Sequence, residues 1–151
     1  MCNCNVEKLI KKSFERIDIS AIAFEDGIAV ITLEGKGVKP LFDFVEKNKE
    51  SLEKLHGLYW GDKVVGKASA MLFLFLKPKY IYGEIVSEKA VKVLEENGIE
   101  FSFGKKVVFI ENRDKTEMCP FEQAVLDQNS KDEAFAKIRS TLESLAETKQ
   151  K

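Results

Sequence analysis

The stretch YIYGEIVSEKAVKVLEENGIEFSF, residues 80–103, decides the fold class of this chain. Residues 80–86 are rich in aromatic and β-branched side chains, which is typical of a strand. Ser87 is a natural N-cap for a helix over residues 88–97, and Gly98 ends that helix. Strand character returns at residues 99–103 and 107–110. A strand, a helix and a strand in succession predict a sheet covered by helices.

The segments before this stretch extend the same pattern. Apolar residues at helical spacing predict a first helix over residues 6–16. Residues 20–24 and 28–33 are predicted strands, joined by an Asp26-Gly27 hairpin turn. Pro40 begins a helix that we expect to continue to Leu55 and to end at Gly57. The apolar run over residues 67–76 predicts a helix buried between other elements. The order predicts a single three-layer α/β domain with a mixed sheet over residues 1–151, in which residues 1–5 form a frayed tail.

Composition excludes several classes of protein. The 24 Lys and Arg residues balance 25 Asp and Glu residues, so binding of nucleic acid by bulk charge attraction is not expected. The longest apolar run is far shorter than the roughly 20 residues that span a membrane. Three cysteines are an odd number, and no apolar leader precedes the fold, so we predict a cytoplasmic protein without disulfides.

Residues 61–69 nearly match a phosphate-binding loop. Gly61 and Gly66 are correctly spaced before Lys67, but Ala68 stands where the motif needs a hydroxyl group. Residues 55–60 also make no convincing buried strand. What the pattern still predicts is an anion-binding helix start at Gly66 and Lys67; the alternative is a solvated lysine after a tight turn.

Cys119 is the main candidate nucleophile. Pro120 suits the first position of a helix and places Cys119 at its N-cap, where the helix dipole favours a thiolate. Glu122 would oppose this effect if it reached the sulfur, and Arg113 in Asn112-Arg113 would support it. The alternative is a buried, inert cysteine.

Metal ligands are scarce. The soft ligands are His56, Cys2, Cys4 and Cys119, which is little material for zinc, so we expect no metal. At the other end of the chain, a capping box at Ser130 begins a last helix. Its apolar stripe consists of Phe135, Ile138, Leu142 and Leu145. We expect this stripe to pack on its own domain, with a homo-oligomer as the alternative.

Several motifs resemble a known family. Residues 61–68, residues 82–87, the pair Asn112-Arg113 and the string Cys119-Pro120-Phe121-Glu122 are similar to the family called domain of unknown function 1893. That family is similar in fold to the cytidine deaminases. The resemblance implies a three-layer α/β/α fold with a mixed five-stranded sheet, cytidine deaminase-like, to which this chain adds a C-terminal helix.

Comparison with the deaminase motifs implies that zinc chemistry is lost. Deaminases hold zinc at the starts of two helices and use a Glu to move protons. The first motif becomes Lys67-Ala68-Ser69 here, and the second places Ser87 and Ala90 at the ligand positions. Lysine, serine and alanine are poor zinc ligands, and Ser69 cannot replace the Glu. Deaminase activity and a cofactor are therefore not expected.

The resulting functional expectation is a protein that binds a small polar or nucleotide-like metabolite. Its expected ligand-binding residues are Gly66, Lys67, Ser69, Ser87, Asn112, Arg113 and Glu122. One alternative is a thiol-dependent enzyme or redox protein that uses Cys119 with help from Lys67, Asn112 or Arg113. A second alternative is an interaction module that forms oligomers. Neither nucleic acid nor a membrane is an expected partner.

Overall fold

The computed structural model describes residues 3–112 and 114–149. Within these residues, the helices and strands follow one another in this order: α1 (Asn3–Ser13), β1 (Ile19–Glu25), β2 (Ile28–Glu34), α2 (Lys39–Lys47), β3 (Tyr59–Val65), α3 (Lys67–Leu76), β4 (Tyr80–Ser87), α4 (Glu88–Glu96), β5 (Glu100–Val107), α5 (Pro120–Ala124) and α6 (Lys131–Lys149). A short 3₁₀ helix, Leu52–Leu55, lies between α2 and β3.

The strands form one mixed sheet in the order β2-β1-β3-β4-β5. β1 pairs antiparallel with β2 and β3, whereas β4 pairs parallel with β3 and β5. Asp26 and Gly27 have φ values of 51° and 79°, as a tight turn between two twisted antiparallel strands requires. The predicted hairpin and the mixed five-stranded sheet are confirmed.

Helix α1 covers one face of the sheet and packs on β1, β3 and β4. Its buried residues Val6 and Ile10 contribute to an apolar cluster with the sheet. Gly61 permits this close packing, because a Cβ at this position would lie 2.1 Å from Cγ2 of Ile10. The approach of α1 to β3 therefore depends on the absence of a side chain at residue 61.

The other face carries α2, α3 and α4, and α6 packs across α3. Helix α3 is thus enclosed on several sides, which confirms the burial predicted from its apolar sequence. Phe135 and Ile138 of α6 are buried in the core, and the rings of Phe135 and Phe42 stack 4.5 Å apart. No helix in the part of the chain that the structure describes has the length and apolar character needed to cross a bilayer.

β3, the central strand of the sheet, is not predicted by the sequence pattern. We expected no convincing strand over residues 55–60, but Trp60, Gly61 and Asp62 lie in a strand and are buried. Both faces of this strand are covered, so its sequence need not alternate between apolar and polar residues. Asp62 and Gly61 also weaken the apolar signal that a buried strand usually gives.

Three predicted boundaries were wrong. Helix α2 ends at Lys47 instead of continuing to Leu55, because the side-chain amide of Asn48 donates to the carbonyl of Phe44 and helps to end the helix. Strand β5 runs from Glu100 to Val107, so it joins the predicted strand at residues 99–103 to Val107, whereas residues 108–110, also predicted as strand, do not pair with β4. Helix α1 begins at Asn3, inside the tail expected at residues 1–5, and the Asn3 side chain donates to Glu100.

Candidate functional site

The starts of α3 and α4 lie at the same edge of the sheet. β3 and β4 are parallel neighbours, and each leads directly into a helix. Gly66 is the N-cap residue of α3, and Ser87 is the N-cap residue of α4. The structure therefore brings together two of the positions that the sequence predicted for one site.

Glu122 occupies the start of α3. Its Oε1 accepts a hydrogen bond of 3.1 Å from the backbone N–H of Lys67, and its Oε2 accepts one from the backbone N–H of Ile110. The Glu122 side chain is buried. A Cβ at Gly66 would lie 3.3 Å from Oε1, so the glycine leaves room for the carboxylate. The chain itself thus supplies the anion at this helix start.

The Lys67 side chain is buried, and its Nζ donates a hydrogen bond of 2.8 Å to the carbonyl of Leu126. Burial lowers the pKa of Lys67, and the positive charge of Lys89 lowers it further. Asp127 acts in the opposite direction, so the carboxylate offsets part of the effect. The ammonium group consequently lies among other charges at the edge of the sheet.

Ser87 and Ser69 are both buried. The Ser87 Oγ accepts a hydrogen bond of 3.1 Å from the backbone N–H of Ala90. This bond confirms the predicted N-cap and satisfies one of the free N–H groups in the first turn of α4. The Ser87 Oγ therefore already accepts a hydrogen bond within the protein.

A groove of about 280 Å³ lies beyond the carboxyl ends of β4 and β5. One wall is the first part of α4, and the other is the segment between β5 and α5. The lining residues are Glu88, Lys89, Lys92, Val108, Phe109 and Met118. The groove thus combines an apolar surface with two ammonium groups and the side chain of Glu88. A larger groove of about 550 Å³ lies at the opposite edge of the sheet, at the connections that enter β4 and β5.

The residues of the smaller groove are not among those that the sequence pattern predicted for a site. Lys89 and Lys92 follow the Ser87 N-cap directly, which was a usable signal, since residues at a helix start after a parallel strand often face a ligand site. Val108, Phe109 and Met118 carried no such signal. They come from a connection without helix or strand, and only the fold places them opposite α4.

The described residues predicted to act with Cys119 are hydrogen-bonded to other groups. Cys119 is the N-cap residue of α5 and is half-buried, and its side chain makes no capping hydrogen bond. The Asn112 side chain bonds to Thr116 within its own turn. The Glu122 carboxylate accepts from the backbone N–H groups of Lys67 and Ile110, and the Lys67 Nζ donates to the carbonyl of Leu126. Arg113 lies outside the described residues.

Two buried polar groups on β3 were not predicted. Burial raises the pKa of Asp62 to about 8, although a hydrogen bond from the backbone N–H of Val64 counteracts part of this effect. Trp60 is fully buried, and its Nε1 has no hydrogen-bond partner among the described residues. Because of its raised pKa, the Asp62 carboxyl group is largely protonated and neutral at pH 7.

Over residues 3–112 and 114–149, no three His, Cys, Asp or Glu side chains form a group that could hold a metal ion. The places that the deaminase comparison assigned to zinc hold Lys67, Ser87 and Ala90. Their chemistry does not fit zinc, because Ala90 offers no ligand, Lys67 Nζ donates to a carbonyl and Ser87 Oγ caps a helix.

Comparison with known proteins places the chain in a family. A family model described as "Domain of unknown function (DUF1893)" matches residues 9–142. The chain belongs to this family. The match covers both helix starts, the groove and most of α6.

A solved structure supports the same assignment. The crystal structure of a DUF1893 family protein from Thermotoga maritima has 32% sequence identity and a TM-score of 0.77. The alignment covers 95% of this chain and 92% of that one. No curated protein shows significant sequence similarity to the chain. The resemblance to the DUF1893 family that the sequence indicated is confirmed.

Proposed function

We propose that this DUF1893 chain binds a small anionic, nucleotide-like metabolite on a deaminase-like fold that has no zinc site. The observation that carries the proposal is the groove beyond β4 and β5, which Lys89, Lys92 and one acidic residue, Glu88, line together with Val108 and Phe109. Ammonium groups attract a phosphate or carboxylate, and the apolar wall can pack against the rest of the ligand.

The position of the groove supports a ligand site. In open α/β sheets, ligands bind outside the carboxyl ends of the parallel strands, and the groove lies there between β4 and β5. Lys89 and Lys92 are exposed, so their charges are available to a ligand from solvent. Lys92 is also close to Glu96, at 4.0 Å, but both side chains remain mostly solvated.

The deaminase-like part of the proposal is supported by the mixed sheet and by the two adjacent helix starts. Hydrolysis at zinc is not part of it, since the residues at the ligand positions are Lys67, Ser87 and Ala90. The proposed function is therefore binding, with the thiol-dependent enzyme built on Cys119 and the oligomer-forming module kept as alternative predictions.

Isothermal titration calorimetry tests the proposal with four probes: AMP, CMP, inorganic phosphate and succinate, with uncharged adenosine as the comparison. We expect at least one anion to bind in low salt and to bind more weakly as salt rises, because exposed lysines supply the attraction. The Lys89→Ala/Lys92→Ala variant should bind about two- to thirtyfold more weakly, since each of the two exposed charges contributes about 0.2 to 1 kcal/mol.

The matched control is Lys8→Ala, which removes an exposed lysine from α1 on the opposite face of the sheet. This variant should bind the anion as the wild type does. Equal affinity of the wild type and the double variant would contradict the proposal. So would a complete lack of binding by all four anions.

A further inference from the structure

The two edge strands of the sheet differ in how they are protected. β2 and β5 end the sheet, so in the part of the chain that the structure describes each has a row of backbone N–H and C=O groups with no strand beside it. β5 carries exposed Lys105 and Lys106, and lysines on an edge strand discourage pairing with another chain. β2 has no charged residue from Ile28 to Leu33. The unprotected edge is therefore β2.

The first half of β2 exposes apolar side chains. Ile28 is 67% exposed and Val30 is 48% exposed. The pairing with β1 passes from Ala23–Ile31 to Phe24–Ala29, so Val30 is a bulge residue without a partner in β1. Beyond this bulge, every residue from 31 to 34 has a partner in β1. Residues 31–34 thus form a regular edge to which a further strand can be added.

Thr32 turns its backbone groups toward the open edge. The carbonyl of the next residue, Leu33, accepts from the Ser20 Oγ of β1 at 3.2 Å, and the N–H of Gly35 donates to the carbonyl of Asp18. Leu33 and Gly35 therefore direct their backbone groups toward β1. Since these directions alternate along an antiparallel strand, Thr32 offers its N–H and C=O to solvent.

The charges at the two ends of β2 favour a second copy of the same strand. The exposed Asp26 lies in the turn before β2, and the exposed Lys36 follows its end. Neither belongs to an ion pair among the described residues. Glu34, by contrast, lies 3.3 Å from Nη2 of Arg16, so its charge is already compensated. Antiparallel pairing of two copies sets the acidic turn of each beside the basic end of the other.

We propose that β2 is the docking edge for β2 of a second copy of this chain, in antiparallel register about a two-fold axis at Thr32. The two Thr32 residues then exchange their N–H···O=C bonds, and Lys36 of each copy lies opposite Ile28 of the other, within diagonal reach of its Asp26. Such an interface is self-complementary, as two-fold symmetry requires. The groove beyond β4 and β5 remains open, because it lies away from β2.

Sedimentation equilibrium of the full chain over a wide range of concentrations tests this inference. We expect the wild type to approach twice the mass of one chain as the concentration rises. Thr32→Lys places two like charges against each other on the axis, and the dissociation constant should rise at least about tenfold. Thr32→Val is the matched control, because it keeps a β-branched residue at this position and should associate like the wild type.

Charge exchange tests the register. Lys36→Glu and Asp26→Lys should each raise the dissociation constant at least about threefold, since the two-fold axis repeats every like-charge contact. The Asp26→Lys/Lys36→Glu variant restores opposite charges and should return toward the wild-type value. Lysine is acceptable at the positive φ of residue 26, because Lys77 and Lys115 also have positive φ. Lys105→Glu, on the other edge strand, is the control and should associate like the wild type.

Three results would overturn the inference. The first is a wild type that stays monomeric at the highest attainable concentration. The second is a dimer that Thr32→Lys leaves intact, since such a dimer joins through another surface. The third is an Asp26→Lys/Lys36→Glu variant that associates no better than the single variants. Far-ultraviolet circular dichroism confirms that each variant is folded before its mass is compared.

Discussion

The Glu122 carboxylate caps the start of α3 through the backbone of Lys67, a residue 55 positions earlier in the chain, at an Oε1–N distance of 3.1 Å. Its second oxygen accepts from the backbone N–H of Ile110. One buried side chain therefore ties α5, the segment after β5 and the first turn of α3 together. This arrangement holds one wall of the groove in place.

Removal of this carboxylate should destabilise the protein. Glu122→Ala leaves two N–H groups, those of Lys67 and Ile110, without their acceptor, and we expect a loss of about 2 to 4 kcal/mol in the free energy of unfolding. Glu122→Gln keeps one acceptor oxygen and should lose less. Urea denaturation followed by circular dichroism measures both values.

The control for this prediction is Glu95→Ala, on the exposed side of α4. Its effect should stay within about 0.5 kcal/mol, as is usual for surface positions. Similar unfolding free energies for Glu122→Ala and Glu95→Ala would show that the carboxylate does not cap α3.

Gly61→Ala should displace α1 from the sheet. The added Cβ would lie 2.1 Å from Cγ2 of Ile10, and overpacking of this kind costs about 1 to 3 kcal/mol. A double-mutant cycle with Ile10→Ala checks the cause, because removal of the Ile10 side chain makes room for the new methyl group. Strictly additive effects of the two substitutions on urea denaturation would contradict this contact.

Stability should fall as pH rises, in part because of Asp62. The folded protein keeps the Asp62 proton up to a pKa of about 8, whereas the unfolded chain loses it near the ordinary aspartate pKa of 3.8. Between these two values the folded state binds the extra proton, so increasing pH favours unfolding by up to about 1.4 kcal/mol per pH unit. Asp62→Asn should remove this part of the slope.

Thermal unfolding of wild type and Asp62→Asn at several values between pH 5 and pH 8 measures the difference. Asp26→Asn is the matched control, because Asp26 is exposed in the hairpin turn. It should unfold with the same pH dependence as the wild type. Identical slopes for wild type and Asp62→Asn would refute the assignment of a raised pKa to Asp62.

Phe135→Ala should weaken the attachment of α6. Phe135 is buried and stacks on Phe42, so its truncation is expected to cost about 3 to 5 kcal/mol. Lys137→Ala, on an exposed position of the same helix, should have little effect. Light scattering adds a second measurement: a variant that kept its stability but changed its assembly state would indicate that the α6 stripe joins copies of the chain.

Local patterns predicted many elements correctly. The bounds of α3 follow from a compact apolar run that ends before Pro78, and the start of α4 follows from the Ser87 hydroxyl. The hairpin follows from Asp26-Gly27. Each of these signals acts within a few residues, because N-caps, tight turns and helix ends are formed by neighbouring backbone groups.

Contacts between distant segments were not predictable in the same way. β3 escaped prediction because burial on both faces, not alternation, holds it in the sheet. Glu122 was considered as a neighbour of Cys119, but the fold directs its carboxylate to the backbone of Lys67. Its role depends on where α5 packs, and no spacing in the sequence encodes that position.

The sequence by itself determined the family, the α/β class, the helix starts at Lys67 and Ser87, and the lack of zinc ligands at both, since these depend on residue type and local spacing. Only the tertiary structure decided that Glu122 supplies the anion at the first helix start, that Asp62 is buried with a raised pKa, and that Lys89 and Lys92 line a groove. These properties arise from desolvation and charge among segments far apart in the chain, which exist only after the sheet and its helices have packed.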